Sequence, residues 1–341
     1  MTRLTIGASD FSQSHYSYSA GSGQFDLSPV DADIIPVMLA AKRANPDLWT
    51  MASPWSAPAW MKSNGSLIQG QLDPARHADF ANYLSAYVRG MAARGVTINA
   101  LSIQNEPHFE PTNYPGMRVM PLQRAAFIGQ HLGPLFARDH GATQILDWDH
   151  NWDQPESPEA VLADAVAAPY ISGVAWHCYA GDVTAQSRVH DRFPTKDVWF
   201  TECSGGEWDP DFGKTLGWMT RNLIIGTTRN WARGVMMWNI ALDPGHGPHL
   251  GGCGDCRGVV TIDGANGTVT RNVEYYVLAH ASRFVRRGAQ RIASDSGLAG
   301  VETVAFRNAD DGSIAMILAN GSDGERQVQR AHAGRIALLT L

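Results

Sequence analysis

Seven short apolar runs, each followed by a stretch with helical spacing, set the strongest limit on how this chain folds. The runs are Leu4–Ala8, Leu48–Ser53, Ile98–Gln104, Gln144–Trp148, Gly173–His177, Val198–Thr201 and Gly234–Trp238. Between them, Ile34, Ile35, Met38 and Leu39 share one helical face, and Phe80, Leu84, Tyr87, Val88 and Met91 share another. Ser28-Pro29 and Asp73-Pro74 mark helix starts, a capping side chain before a proline that suits the first helical position. Strand-then-helix alternation dictates a parallel sheet. The strand tips fall near Gly7, Ser53, Glu106, Asp149, His177, Glu202 and Trp238. Their spacings of 46, 53, 43, 28, 25 and 36 residues each hold one strand–helix unit. A (β/α)8 barrel needs eight such strands, and seven are visible.

The helix after the seventh run is predicted over Asn272–Arg287, with Val273, Tyr276, Val277 and His280 on one face. From Gly288 the texture changes. Ala289–Ala293, Val301–Arg307, Ser313–Asn320 and Arg335–Leu341 alternate with Gly, Asp and Asn turns, as a small antiparallel unit does. The expected division is a barrel over 1–287 and a C-terminal β-domain over 288–341. A hydrophobic content of 44% supplies a sizeable core. Lys+Arg 27 against Asp+Glu 33 gives a net charge of −6, which argues against a nucleic-acid partner. No apolar run approaches the roughly 18 residues of a membrane span. The start, Met1 to Gly7, lacks the long apolar stretch of a signal peptide. Four cysteines are too few for a disulfide scaffold. Eleven tryptophans are the informative excess, because such rings line sites for sugars, apolar on one face and polar at the edge.

In a parallel barrel, reacting groups sit at the C-terminal strand ends. Gln104-Asn105-Glu106-Pro107 ends one strand, Thr201-Glu202-Cys203-Ser204 another, and Trp238-Asn239 the last. His177 and Tyr179 end a fourth. Two carboxylates facing each other across a barrel mouth run glycoside hydrolysis, one protonating the leaving oxygen and the other attacking the anomeric carbon or activating water. Glu106 and Glu202 each follow a β-rich run, whereas an ordinary surface Glu need not. Asp147 and Asp149, with His150 and His177, form a competing set suited to a divalent ion. No tight spacing such as His-x-x-x-His supports a metal there. Cys253 and Cys256 sit in a Gly-rich loop without a clear second pair, Cys178 and Cys203 being only loose candidates for zinc. A loop disulfide or two plain thiols fits better. Trp49, Trp176, Trp218 and Trp231 suit an ordinary core. Trp55 and Trp238 suit stacking on a sugar, and Trp60 suits either place.

Ser53-Pro54-Trp55-Ser56-Ala57-Pro58-Ala59-Trp60-Met61-Lys62, continued by Asn64-Gly65-Ser66-Leu67, resembles the loop after the third barrel strand of glycoside hydrolase family 30, the glucosylceramidase-like enzymes. Gln104-Asn105-Glu106-Pro107 is similar to that family's acid/base motif, and Phe200-Thr201-Glu202-Cys203-Ser204-Gly205-Gly206 to its nucleophile motif. Trp238–Asp243 and Gly251–Ile262 resemble its last strand and following loop in a bacterial or fungal style. The resemblance implies a (β/α)8 barrel fused to a side β-sandwich and a retaining mechanism without cofactor or metal. It makes Glu106 the acid/base and Glu202 the nucleophile. Asn105 then holds the sugar 2-hydroxyl, and Trp55 and Trp238 wall the same subsite, with His177 and Tyr179 nearby. Retention needs carboxyls about 5–5.5 Å apart. The expected substrates are β-linked glucosides, whether glucosylceramide, simple glucosides or β-1,6-glucan, with β-xylosides as an alternative. A non-catalytic sugar-binding remnant and a metal-dependent hydrolase are the alternatives of other classes. The first barrel strand of the family has no counterpart before Arg3, so the expectation is an open barrel with weak activity that collapses, dimerises or stays poorly soluble. Family location implies a secreted or periplasmic protein.

Overall fold

A curled sheet of seven parallel strands frames the computed structural model, which describes residues 1–322, 324–332 and 335–340. The strands are β1 (Thr2–Ile6), β2 (Thr50–Pro54), β3 (Ala100–Ser102), β4 (Gln144–Asn151), β5 (Ile171–His177), β6 (Asp197–Glu202) and, after the two-residue β7 (Gly205–Gly206), β8 (Ala232–Val235). Spatial order follows chain order, β1-β2-β3-β4-β5-β6-β8. The curl brings the far strands together. Arg3 on β1 bonds Glu202 at the end of β6, and a Cβ on Gly234 of β8 would sit 2.0 Å from Met1 Sδ. Within the sheet, β1 pairs with β2 and β8 with β6.

Period-two alternation sorts the side chains into layers. Met51, Ala100, Leu146, Ala175, Trp199 and Met236 form an apolar cluster inside the curl. Two residues further along four of these strands stand Ser53, Ser102, His177 and Thr201, all buried and all polar. The residues between them, Ala52, Leu101, Trp176 and Phe200, join the main core outside the sheet. There the helix α1 (Ile34–Ala44) buries Ile35 and Met38. The helix α2 (His77–Ala93) buries Phe80, Leu84, Tyr87, Val88 and Met91. Each fully buried large side chain of this kind stabilises by roughly 1.5–3 kcal/mol. A polar layer above an apolar one is therefore written into the strands themselves.

Several expectations shift. Asp73 caps as expected, accepting from Ala75 N at 2.9 Å. Ser28 lies inside a short turn instead, and Asp26 caps it at 2.8 Å. The last barrel strand stops at Val235, short of Trp238, which belongs to the following loop. The final helix is Val273–Ser282 and buries Val273, Glu274 and Val277, while Tyr276 and His280 are exposed. Glu274 turns inward because Arg257 donates to it at 3.3 Å. Trp176 is core, and Trp49 stacks on Trp199 at 4.4 Å. Trp218 and Trp231 are instead 43% and 45% exposed. Trp60 is half-buried and donates to Ser19 Oγ at 3.1 Å.

Beyond the barrel strands, β9 (Ala241–Leu242), β11 (Val260–Asp263) and β12 (Thr268–Arg271) form a small sheet that the sequence did not announce, and β10 (Cys256–Arg257) pairs with β7. The C-terminal unit is antiparallel as expected: β13 (Gln290–Ile292), β14 (Val301–Arg307) and β15 (Ile314–Asn320), with the hairpin β16 (Gln327–His332) and β17 (Arg335–Thr340). β16 is additional to the expected strands, and Leu341 lies outside the described residues. Among the described residues no helix is long and apolar enough to cross a membrane.

Candidate active site

The polar layer converges on one carboxylate. Asp149 Oδ2 accepts from Arg3 at 2.7 Å, from Ser102 at 2.6 Å and from Ser53. Its Oδ1 accepts from Thr201 at 2.8 Å and lies 3.0 Å from His177 Nε2. Burial alone would raise this carboxyl, but Arg3 and the bonds from His177 and Ser102 hold it well below the usual range. Asp149 therefore stays ionised and fixes the two cations above it.

Those cations reach the two glutamates. His177 Nδ1 lies 3.1 Å from Glu106 Oε1, and its Nε2 lies 3.9 Å from Glu202 Oε2. Arg3 Nη1 donates to Glu202 Oε2, and Arg3 Nη2 to Asn105 Oδ1 at 2.6 Å. Tyr179 donates to Glu202 Oε1 at 2.9 Å, so each oxygen of Glu202 has a donor. Burial opposes the charged imidazole of His177, yet Glu202, Asp149 and Glu106 raise it to about 9. Burial likewise opposes charge on Glu106, but His150 and His177 hold it down to about 2. The Glu106–His177 pair thus carries one proton at neutral pH, on the imidazole side.

Local backbone aims these groups. Gln104 Nε2 donates to Trp55 O at 2.7 Å and to Asn105 O at 2.8 Å, pinning the turn after β3. Glu106 N donates to Asp149 O at 3.0 Å, and Glu106 adopts a left-handed φ of 48°. Trp148 and Asp149 are left-handed too, at φ 76° and 55°, where the β4–β5 register shifts. Trp55 and Trp238 stack at 4.8 Å and 25°, with the Arg3 guanidinium 4.9 Å from the Trp55 ring. Above them opens a cavity of about 480 Å³ lined by Glu106 and Glu202, Asn105, both tryptophans and Tyr179.

The structure thus brings together Trp55, Asn105, Glu106, Tyr179, Glu202 and Trp238 around one cavity, with His177 fully buried beneath it. Of the competing set, Asp149 and His150 stay near His177, but Asp147 does not join them. Asp147 is held by Arg124 at 2.8 Å in a fully buried pair. All four cysteines are bonded, Cys253 to Cys256 and Cys178 to Cys203, so the latter two are no zinc candidates.

Four contributors escaped the sequence. Arg3 stands between outward-facing positions, and Leu4 packs on the outer core, so strand alternation alone sends Arg3 inward. Asp10 lines the cavity, and burial followed by the charge of Glu202 pushes its carboxyl up to about 7. Trp208 and Phe109 rim the same cavity at 56% and 46% exposure. A Cβ on Gly206 would lie 1.9 Å from the Trp208 ring, so glycine there lets that ring lie flat.

Comparison with known proteins identifies the family. Residues 1–285 match the model of the glycosyl hydrolase family 30 TIM-barrel domain, and residues 288–335 that family's β-sandwich domain. The chain belongs to glycosyl hydrolase family 30. Among its relatives in that family is an endo-1,6-β-D-glucanase of Neurospora crassa, 35% identical over 94% of this chain and 70% of that protein. A lysosomal acid glucosylceramidase of Mus musculus is 28% identical over 94% of this chain and 67% of that protein. The solved structure of the endo-β1,6-glucanase BT3312 superposes with a TM-score of 0.94 at 32% identity, covering 99% of this chain and 80% of that one. This family 30 chain is a glycoside hydrolase.

Proposed function

We propose that the chain is a retaining β-glycosidase acting on β-linked glucose, with β-1,6-glucan as its substrate, Glu202 as nucleophile and Glu106 as acid/base. The observation that carries this reading is the shared imidazole. Glu106 and Glu202 border one cavity and both approach His177, at 3.1 and 3.9 Å. Arg3 and Tyr179 keep Glu202 oriented for attack on the anomeric carbon. The glycosidic bond breaks with its electron pair passing to the leaving oxygen, which takes a proton from Glu106. Water then gives a proton to Glu106, attacks the same carbon and frees Glu202. In the empty site the proton rests on His177. A bound sugar excludes water from Glu106 and moves that proton toward its carboxyl.

The preference for a glucan chain is supported by the 35% identity to a 1,6-glucanase against 28% to a glucosylceramidase. The exposed rings of Phe109 and Trp208 at the rim also suit stacking of further sugar units. Two disulfides support a secreted or periplasmic location, where thiols oxidise. The test is turnover of β-1,6-glucan, glucosylceramide, an aryl β-xyloside and an aryl β-glucoside. Glu202→Gln should abolish all turnover. Glu106→Gln should spare the aryl glucoside most, because its leaving group needs no proton. Equal losses on glucan and aryl glucoside would remove Glu106 as the acid. A folded chain that binds sugar and turns over nothing would be a binding remnant.

A further inference from the structure

The double displacement gives His150 no proton to carry, only a place beside Glu106. Its side chain is 8% exposed, and its Nδ1 makes no hydrogen bond, although it lies 3.5 Å from Glu106 Oε1. His177 Nδ1 lies 3.1 Å from the same oxygen. Donor atoms of Glu106, His150 and His177 all fall within 4.8 Å of one another. A four-coordinate ion with ligand bonds of about 2.0–2.2 Å sets neighbouring donors roughly 3.3–3.5 Å apart. Two edges of the triangle therefore already have that length to within a few tenths of an ångström, and the third, between the two imidazoles, is at most 4.8 Å and closes with a rotation of the His150 ring.

Two features favour an ion beyond this spacing. The far nitrogen of His177 lies 3.0 Å from Asp149 Oδ1. That bond keeps one ring proton on Nε2, so an ion that displaces the other proton meets an Nδ1 lone pair already facing Glu106. Metal-binding histidines are oriented by carboxylates in this same way. Glu106 also borders the cavity of about 480 Å³, so an ion has an entry path and a fourth position for water.

We propose that Glu106, His150 and His177 bind a borderline divalent cation of the Zn2+ or Cu2+ class, and that the bound ion inhibits by occupying the carboxylate oxygen that must carry the catalytic proton. Two imidazoles and one carboxylate select such ions over Mg2+ or Ca2+, which take oxygen donors. The inhibitory half rests on the acid/base assignment of Glu106, and the binding half does not.

The experiment is equilibrium dialysis of the intact, EDTA-stripped chain against ZnCl2, paired with aryl β-glucoside turnover in the same solutions. Zn2+ should inhibit, EDTA should restore the rate, and MgCl2 should do neither. His150→Ala and His150→Gln should each bind one Zn2+ fewer per chain and require at least tenfold more Zn2+ for inhibition. Co2+ supplies a second readout through the visible absorption of a four-coordinate site, which both variants should lose. Unchanged Zn2+ stoichiometry in both variants would overturn the site. Inhibition that survives both substitutions at the same Zn2+ concentration would overturn the mechanism. If the chain turns over no substrate, dialysis and Co2+ absorption still decide the site, so the two readings fail separately.

Discussion

Replacing Cys178 and Cys203 together by alanine tests how the strand tips are held. The bond spans 25 residues of sequence, and the other disulfide, Cys253–Cys256, spans 3. Loop-closure entropy assigns the longer bond about 3.5 kcal/mol and the shorter about 1.6 kcal/mol at 25 °C. With an unfolding entropy of about 2.1 cal/mol/K per residue, these become Tm losses of about 5 °C and about 2 °C for a chain this size. The longer bond has a second consequence. Cys178 lies between His177 and Tyr179, and Cys203 follows Glu202. The β5–β6 register shifts between Trp176 and His177, so the ladder is irregular just where the disulfide takes over. Without it, Tyr179 and His177 drift against Glu202, and kcat on an aryl β-glucoside should fall about tenfold or more. The matched control is Cys253→Ala with Cys256→Ala. Calorimetric melts and steady-state kinetics on both variants decide the matter. A larger Tm loss in the control, or an unchanged kcat in the Cys178/Cys203 variant, would refute the reasoning.

Arg3→Met leaves Asp149 buried without its main counter-charge, and urea unfolding should show a loss of about 3–5 kcal/mol. Arg3→Lys restores charge but not the fork shared by Asp149, Asn105 and Glu202, so it should recover stability more than turnover. His177 is raised to about 9, so its contribution is full below about 6.5 and is lost as pH rises through about 9. Glu106 is lowered to about 2, so its contribution is lost as pH falls from about 4.5 toward 2. Denaturation midpoints against pH should therefore fall toward both extremes, and His177→Gln should remove the part of the decline that lies between about 6.5 and 9. Asp10 is raised to about 7, so folding favours its protonated form and loses stability as pH rises through 7. Asp10→Asn should accordingly stabilise at pH 8 and change little at pH 4, and the opposite ranking in chemical denaturation would contradict that environment.

Much of the barrel was legible because its strands are apolar, regularly spaced and closed by polar tips. Met51, Ala100, Ala175 and Trp199 alternate with outward residues in a pattern set by pleating alone. Glu106, Glu202, His177 and Tyr179 were visible because each stands at a strand end. Arg3 was not, since a charge within the first strand gains meaning only when curling carries β1 to β6. The hairpin of β11 and β12 was hidden by its Gly-rich approach, which looks like loop until β9 supplies a partner. The Cys178–Cys203 pairing depends on β5 lying beside β6, which spacing along the chain does not state.

The left-handed backbone at Trp148, Asp149 and Glu106 sets the demands of folding against those of turnover at single positions. Each such residue costs on the order of 1–3 kcal/mol, and glycine or asparagine would adopt the same conformation more readily. Glu106→Gly or Glu106→Asn would therefore relieve that strain while giving up the ion pair with His177, two effects of opposite sign on stability. A stabilising screen on this scaffold needs an activity gate, because a substitution that nearly cancels in stability can still remove the proposed proton donor.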